Sequence, residues 1–212
     1  MNFDTFFFDL DETLYPPNSG LWEAIRERIN AYLHERIGIP QNRVASLREE
    51  YFREYGTTLR GLQANYEVDT DEYLAYVHDV PLSRYIHPDP NLRTALAGIR
   101  ARKFIFTNAD ANHARRVLEA TGLQEVFTGI IDVHTMALHC KPMPGSFERA
   151  LEAAGKPEPR ACVLLDDQAR VTRAARQLGM FTVLVGKDHL GDEADASLLN
   201  LADLPVLLNG RA

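Results

Sequence analysis

The 212-residue sequence predicts an α/β fold: a doubly wound, mainly parallel sheet with an all-helical segment inserted after its first strand. Three observations predict it. Short apolar runs alternate with helical stretches after Asn91, the stretch before that point carries helical spacing and no convincing strand, and polar residues stand directly after the apolar runs. A composition of 45% hydrophobic and 25% charged residues is that of an ordinary globule, which excludes wholesale disorder, collagen and a small disulfide scaffold. A chain of this length buries roughly 70% of the surface its unfolded form exposes, enough for a full core.

The first strand is read at residues 5–10 (TFFFDL), an aromatic-rich run that stops at Asp9-Leu10-Asp11-Glu12-Thr13 and is broken by Pro16-Pro17. Leu21, Trp22, Ile25, Ile29, Tyr32, Leu33 and Ile37 then recur at helical spacing up to Gly38. Val44, Leu47, Tyr51 and Tyr55 repeat the pattern up to Gly56, and residues 58–61 read as a short irregular stretch. Asp69-Thr70-Asp71-Glu72 starts another helix before Tyr73, Leu74 and Val77. The Pro-rich segment at 86–90 closes this block. Strands follow at 104–106, 129–131, 161–165 and 182–185, with helices at 111–120, 145–154 and 169–178 between them. Gly122, Gly155 and Gly179 stand where a helix ends in the left-handed conformation. Leu198, Leu199, Leu201 and Leu204 are expected to dock the tail on the core. The domains expected are a core of residues 1–15 and 89–212 and a helical insert of residues 16–88.

In such a sheet functional residues gather at the carboxyl ends of the strands. Asp9 and Asp11 follow the first run, Thr107-Asn108 the second, Lys141-Pro142 the third and Asp166-Asp167 the fourth. Taken singly, each has a bland reading as a cap, a turn or a surface lysine. Together they are restrictive. Carboxylates that meet at one sheet edge repel unless a cation joins them, and hard oxygen ligands suit Mg²⁺. Thr107 and Lys141 are donors for phosphate oxygens. Asp9 can attack phosphorus as a carboxylate nucleophile, and Asp11 can protonate the leaving oxygen and then activate water.

With these residues in view, the sequence resembles the haloacid dehalogenase (HAD) superfamily of phosphohydrolases. The four motifs stand as Asp9-Leu10-Asp11-Glu12-Thr13, Thr107-Asn108, Lys141-Pro142 and Asp166-Asp167. The resemblance implies a Rossmann-like core in which the helical insert takes the place of the family's C1 cap. It implies Asp9 as nucleophile and Asp11 as general acid and base. It further implies Mg²⁺ held by the Asp9 carboxylate, the Asp11 backbone carbonyl and Asp167, with Asp166 either a ligand or bonded to one. Thr107 and Lys141 would hold the phosphoryl group, helped by backbone amides near Asn108. Four segments look like the pyrimidine 5′-nucleotidase branch: DLDETLYP at 9–16, YFREYGTTLRGL at 51–62, PDPNLRTAL at 88–96 and TNADANH at 107–113. That branch hydrolyses nucleoside monophosphates, UMP and CMP above all.

One departure stands out. Gln168 replaces a Ser common in relatives, and Val171 replaces an Asn, which puts the support of the fourth loop in question. Specificity is expected from Tyr15, Tyr51, Tyr55, Arg60 and Asn65, where a tyrosine can stack on a base and Asn or Arg can bond its edge. A sugar-phosphate or phosphoglycolate phosphatase would carry the same core. A phospho-receiver domain would place the acidic pair first rather than last, and a catalytically silent binding protein would keep the fold alone.

The formal net charge of −7 and pI near 5.5 argue against a nucleic-acid or anionic-lipid partner; the partner that the resemblance implies is a small phosphorylated metabolite, a nucleotide above all. Cys140 and Cys162 form no framework, and His34, His78, His87, His113, His134, His139 and His189 lack zinc-ligand spacing. The N-terminal stretch reads as no signal peptide and no apolar run is long enough for a membrane span, which makes a reducing, cytoplasmic location the default expectation.

Overall fold

Four consecutive apolar and β-branched residues, TFFF, form the first strand, and all four are buried, as expected of a strand covered on both faces. The computed structural model describes residues 3–187 and 191–210, so His189 lies outside the described residues. In chain order the elements are β1 (Thr5–Phe8), α1 (Leu21–Glu35), α2 (Gln41–Tyr55), α3 (Thr58–Asn65), α4 (Thr70–Val77), α5 (Pro90–Ala97), β2 (Arg102–Phe106), α6 (Ala111–Thr121), β3 (Gly129–Ile131), α7 (Pro144–Ala153), β4 (Cys162–Asp166), α8 (Ala169–Gln177), β5 (Phe181–Val185), β6 (Ala196–Leu198) and α9 (Leu204–Asn209). No helix among the described residues is long and apolar enough to cross a membrane.

Among the described residues, six strands make one parallel sheet in the order β3-β2-β1-β4-β5-β6. This is a Rossmann-like doubly wound sheet, with β1 at the point where the winding reverses. Phe7 lies opposite Phe104 on one side and Leu164 on the other. Alternate residues share a face, so Phe7, Phe104, Phe106 and Leu164 enter one core cluster with Ile131, Phe147 and Val171. The helix-ending glycines Gly122, Gly155 and Gly179 all take positive φ. The chain divides into two compact units, Met1–Ser19 with Ile86–Ala212 and Gly20–Tyr85. The second holds α1 to α4 and no strand.

The structure corrects three expectations. Residues 58–61 are not irregular: they open α3, because the Thr57 side chain accepts from Arg60 N and caps the helix. Gly61, a poor helix former, is tolerated there because it lies so close to the Tyr51 ring that a Cβ would meet Tyr51 Cγ at 2.2 Å. The tail supplies a sixth strand at 196–198, and Leu199 points to solvent at 70% exposure while Leu201 and Leu204 are buried. The Pro-rich segment continues into α5, with the Asp89 side chain capping Asn91 N and Leu92 N and Pro90 in the first turn, where it has no hydrogen bond to lose.

Candidate active site

The strand order explains which loops can meet. With β1 between β2 and β4, the residues that leave these three strands are neighbours at the carboxyl edge. Asp9 follows β1, Thr107 follows β2, and Asp166 ends β4 with Asp167 next. Lys141 arrives from the loop after β3 and is almost wholly buried. Its Nζ lies 2.6 Å from Asp9 Oδ1 and 2.7 Å from Asp166 Oδ2, so one ammonium bridges two buried carboxylates. The loop that delivers it is clasped by Asn108. Lys141 N donates to Asn108 Oδ1 at 2.8 Å, and Asn108 Nδ2 donates to Lys141 O at 3.2 Å. The Asn108 side chain is therefore occupied by Lys141, and any contact of Asn108 with a phosphate falls to its backbone. Thr107 is buried, and its Oγ1 accepts from Ala109 N at 3.0 Å, which fixes the turn and leaves the hydroxyl proton to donate.

Asp9, Asp166 and Asp167 each bring a carboxylate oxygen within 4.8 Å of the others. Burial pushes the Asp9 carboxyl well above the usual carboxylate range, against the pull of Lys141 and with Asp166 and Asp167 adding to it. Burial and the adjacent Asp166 push Asp167 up to about 7. Burial alone would lower the Lys141 amine, but Asp166 and Asp9 outweigh it and hold the amine above its ordinary range. Asp167 Oδ1 is buried with no hydrogen-bond partner among the described residues. A buried ionised oxygen without a donor is costly. A hard dication would satisfy it and relieve the repulsion among the three carboxylates, so the donor set fits Mg²⁺.

Two residues that the sequence reading left out stand beside this set. Lys187, just past β5, donates to Asp167 O at 2.7 Å and lies 3.6 Å from Asp167 Oδ2. It supports the fourth loop, where Val171 has no polar group to offer and instead lies buried in the core cluster. Gln168 contributes by its backbone N, which donates to Asp166 Oδ1 at 2.9 Å. The signal was available, since Gly186-Lys187 follows an apolar run just as Asp9, Thr107 and Asp166 do. His113, in the first turn of α6, places Nε2 2.9 Å from Asp11 Oδ1. Tyr15 donates to the same oxygen at 2.7 Å. Tyr15 thus belongs to the loop after β1 and not to the helical unit, and burial together with Asp11 pushes its phenol well above the usual range.

The remaining specificity candidates lie in the helical unit. Tyr51 is buried with its ring edge-on to Tyr55, the centroids 5.6 Å apart, and Asn65 Nδ2 donates to Tyr55 Oη at 3.3 Å and to Gly61 O at 2.8 Å. These three side chains are engaged in the α2–α3 contact. Arg60 Nη1 donates to Gln63 Oε1 at 2.7 Å. Burial pushes the Cys162 thiol up to about 12, and its Sγ donates to Glu158 O at 3.3 Å, as befits a structural thiol.

Comparison with known proteins accords with this geometry. The haloacid dehalogenase-like hydrolase family profile matches residues 3–179. Phosphate metabolism protein 8 of Saccharomyces cerevisiae is 27% identical over 231 residues, covering 96% of this chain and 72% of that protein. Among solved structures, the putative HAD-hydrolase YfnB of Bacillus subtilis, bound to magnesium, superposes with a TM-score of 0.68 at 18% identity, covering 99% of this chain and 100% of the other. The HAD phosphatase of Thermococcus onnurineus superposes with a TM-score of 0.66 at 20% identity, covering 99% of each chain. With its parallel sheet, its acidic triad and a family match over most of its length, this chain belongs to the haloacid dehalogenase-like hydrolases.

Proposed function

We propose that the protein is a Mg²⁺-dependent phosphomonoesterase that works through an aspartyl-phosphate on Asp9, and that its substrate is a pyrimidine nucleoside 5′-monophosphate. The observation that carries the chemistry is the bridged cluster: Asp9, Asp166 and Asp167 converge, Lys141 spans two of them, and Asp167 Oδ1 still lacks a donor among the described residues. Support also comes from the magnesium bound to YfnB and from the phosphatase name of the Thermococcus relative. The nucleotide rests on the four segments that look like the pyrimidine nucleotidase branch.

Asp9 attacks phosphorus, the ester oxygen leaves with a proton from Asp11, and water assisted by Asp11 then releases phosphate. Thr107 and the Lys141 ammonium hold phosphoryl oxygens through the step. Asp9, the Asp11 carbonyl and Asp167 hold Mg²⁺, which when bound supplies positive charge to the phosphoryl group. The helical insert, residues 16–88, acts as the cap that selects the alcohol part, with Arg60 as the residue to test first.

Phosphate release from UMP, CMP, dUMP, AMP, GMP, nicotinamide mononucleotide, phosphoglycolate and sugar phosphates, with Mg²⁺ and with EDTA, tests the reading. Release selective for UMP and CMP and abolished by EDTA is expected. Release from sugar phosphates or phosphoglycolate alone would keep the chemistry and discard the nucleotide. Asp9→Asn is expected to abolish turnover with an unchanged far-UV circular dichroism spectrum, and retained activity would remove Asp9 as nucleophile.

A further inference from the structure

Two hydrogen-bonding side chains converge on one oxygen of Asp11. Tyr15 Oη donates to Oδ1 at 2.7 Å, and His113 Nε2 lies 2.9 Å from the same atom. They reach it from different elements. Tyr15 follows Asp11 by four positions, and the turn between them is closed by Leu14 N donating to Leu10 O at 3.0 Å. His113 comes from α6, whose first turn is anchored by Asp110: its side chain accepts from Asn112 N at 2.7 Å and from His113 N at 3.0 Å. The His113 side chain is wholly buried and that of Asp11 is 16% exposed. A single tie would leave a carboxyl free to swing about its bond to Cβ. Two ties from two directions hold its plane.

We propose that Tyr15 and His113 are positioning residues for the proton transfers of Asp11, an inference that rests on the phosphatase reading and specifies how its acid–base step is held. An ionised carboxylate only accepts hydrogen bonds, so His113 presents Nε2–H to it. With both donors on Oδ1, the travelling proton is carried on Oδ2. As an Asp9 oxygen bonds to phosphorus, the ester P–O bond breaks, its electron pair goes to the leaving oxygen, and that oxygen takes the Oδ2 proton. In the second step Oδ2 takes a proton from water while the water oxygen bonds to phosphorus and the Asp9–phosphorus bond breaks, its pair returning to Asp9. General acid catalysis of this kind contributes about 10²–10⁴-fold, provided the group is held within hydrogen-bond reach of the leaving oxygen.

The test is leaving-group dependence. p-Nitrophenolate departs unprotonated, whereas a nucleoside or glycerol alkoxide needs the proton. The quantity to read is kcat/KM, because it ends at transfer to Asp9 and excludes water activation. Wild type, Tyr15→Phe, His113→Ala, the double variant and His113→Gln would be assayed with Mg²⁺ on UMP, glycerol 3-phosphate and p-nitrophenyl phosphate. Each single variant is expected to lose about tenfold on the alkyl esters and the double variant about a hundredfold, the low end of a general-acid contribution. Losses on p-nitrophenyl phosphate should stay near threefold by the same argument. His113→Gln, which keeps an N–H at similar reach, should recover most of its loss. Tyr15→Phe removes a single oxygen and keeps the ring packing, so it carries the test if His113→Ala fails to fold. Equal losses on both ester classes in an active protein would overturn the positioning role alone. A wild type that releases phosphate from none of the esters would overturn the phosphatase reading and this inference with it.

Discussion

Lys141 is the side chain on which the cluster depends. It is nearly wholly buried, and its ammonium satisfies Asp9 and Asp166 at once. Taking it away leaves two buried carboxylates facing each other with Asp167 close by, and breaking a buried ion pair from one side costs about 3–5 kcal/mol. Lys141→Ala is therefore expected to lower the free energy of unfolding by about that amount in urea titration without Mg²⁺, a loss far beyond that of an ordinary lysine. A change within about 0.5 kcal/mol, the range of surface substitutions, would show that the bridge is energetically idle. Lys187 belongs to the same scale. Its contacts with the carbonyl and carboxylate of Asp167 steady a residue proposed to hold the metal. Outer partners of metal ligands carry about 10–100-fold in affinity. Lys187→Ala should raise the Mg²⁺ concentration for half-maximal activity by at least about tenfold, with kcat at saturating Mg²⁺ changed far less. An unchanged Mg²⁺ dependence would count against that role.

At the scale of elements, α3 shows how a short helix with an interior glycine can be stable. Thr57 caps it, Arg60 and Gln63 pair one turn apart on it, and Gly61 lets α2 approach closely enough for Tyr51 to lie against the backbone. A methyl group there would overlap Tyr51 Cγ, Cδ2 and Cβ, all within 2.5 Å of the new atom. Tyr51 is itself buried and has little room to yield. Gly61→Ala, which raises helix propensity in isolation, is expected to destabilise the helical unit by about 1–3 kcal/mol, the usual range for overpacking. Thermal unfolding followed by circular dichroism would read this as a lowered Tm, and a raised Tm would mean that propensity outweighs the clash. The α6 N-terminus makes a related point: one capping residue, Asp110, both closes the helix and sets the register that aims His113 at Asp11.

For the molecule as a whole, the proposed metal would be tied to folding through the triad. Asp9 and Asp167 are both held above their ordinary range chiefly by burial, with the neighbouring carboxylates adding to it and nearby lysines only partly offsetting it. A ligand that binds the folded chain alone stabilises it by about 2.7 kcal/mol at a hundredfold over its Kd. For a chain of this size that is a rise of about 5–11 °C in Tm. Mg²⁺ added to EDTA-treated protein should produce such a shift in differential scanning fluorimetry, and Asp167→Asn should remove most of it. An equal shift in the variant would place the bound metal elsewhere.

The sheet and the motif ends were legible because their signals are local. Buried parallel strands read as unbroken apolar runs, and Asp9 and Thr107 directly follow the strands that carry them while Asp166 ends its own. Periodicity also marked three of the four helices of the insert. It passed over α3, whose stability comes from a cap and from a contact with α2 that no spacing encodes. His113 was illegible for a like reason: its partner Asp11 lies 102 positions away, and only the placing of β2 beside β1 brings the start of α6 to the loop after β1. Lys187 meets Asp167 because β5 lies beside β4. The chain's pattern of apolar runs and polar ends specifies which residues reach the carboxyl edge. Strand order and helix capping specify which of them touch, because a hydrogen bond between distant segments depends on where the sheet sets each segment down, and that is a property of the packed core rather than of any stretch of sequence.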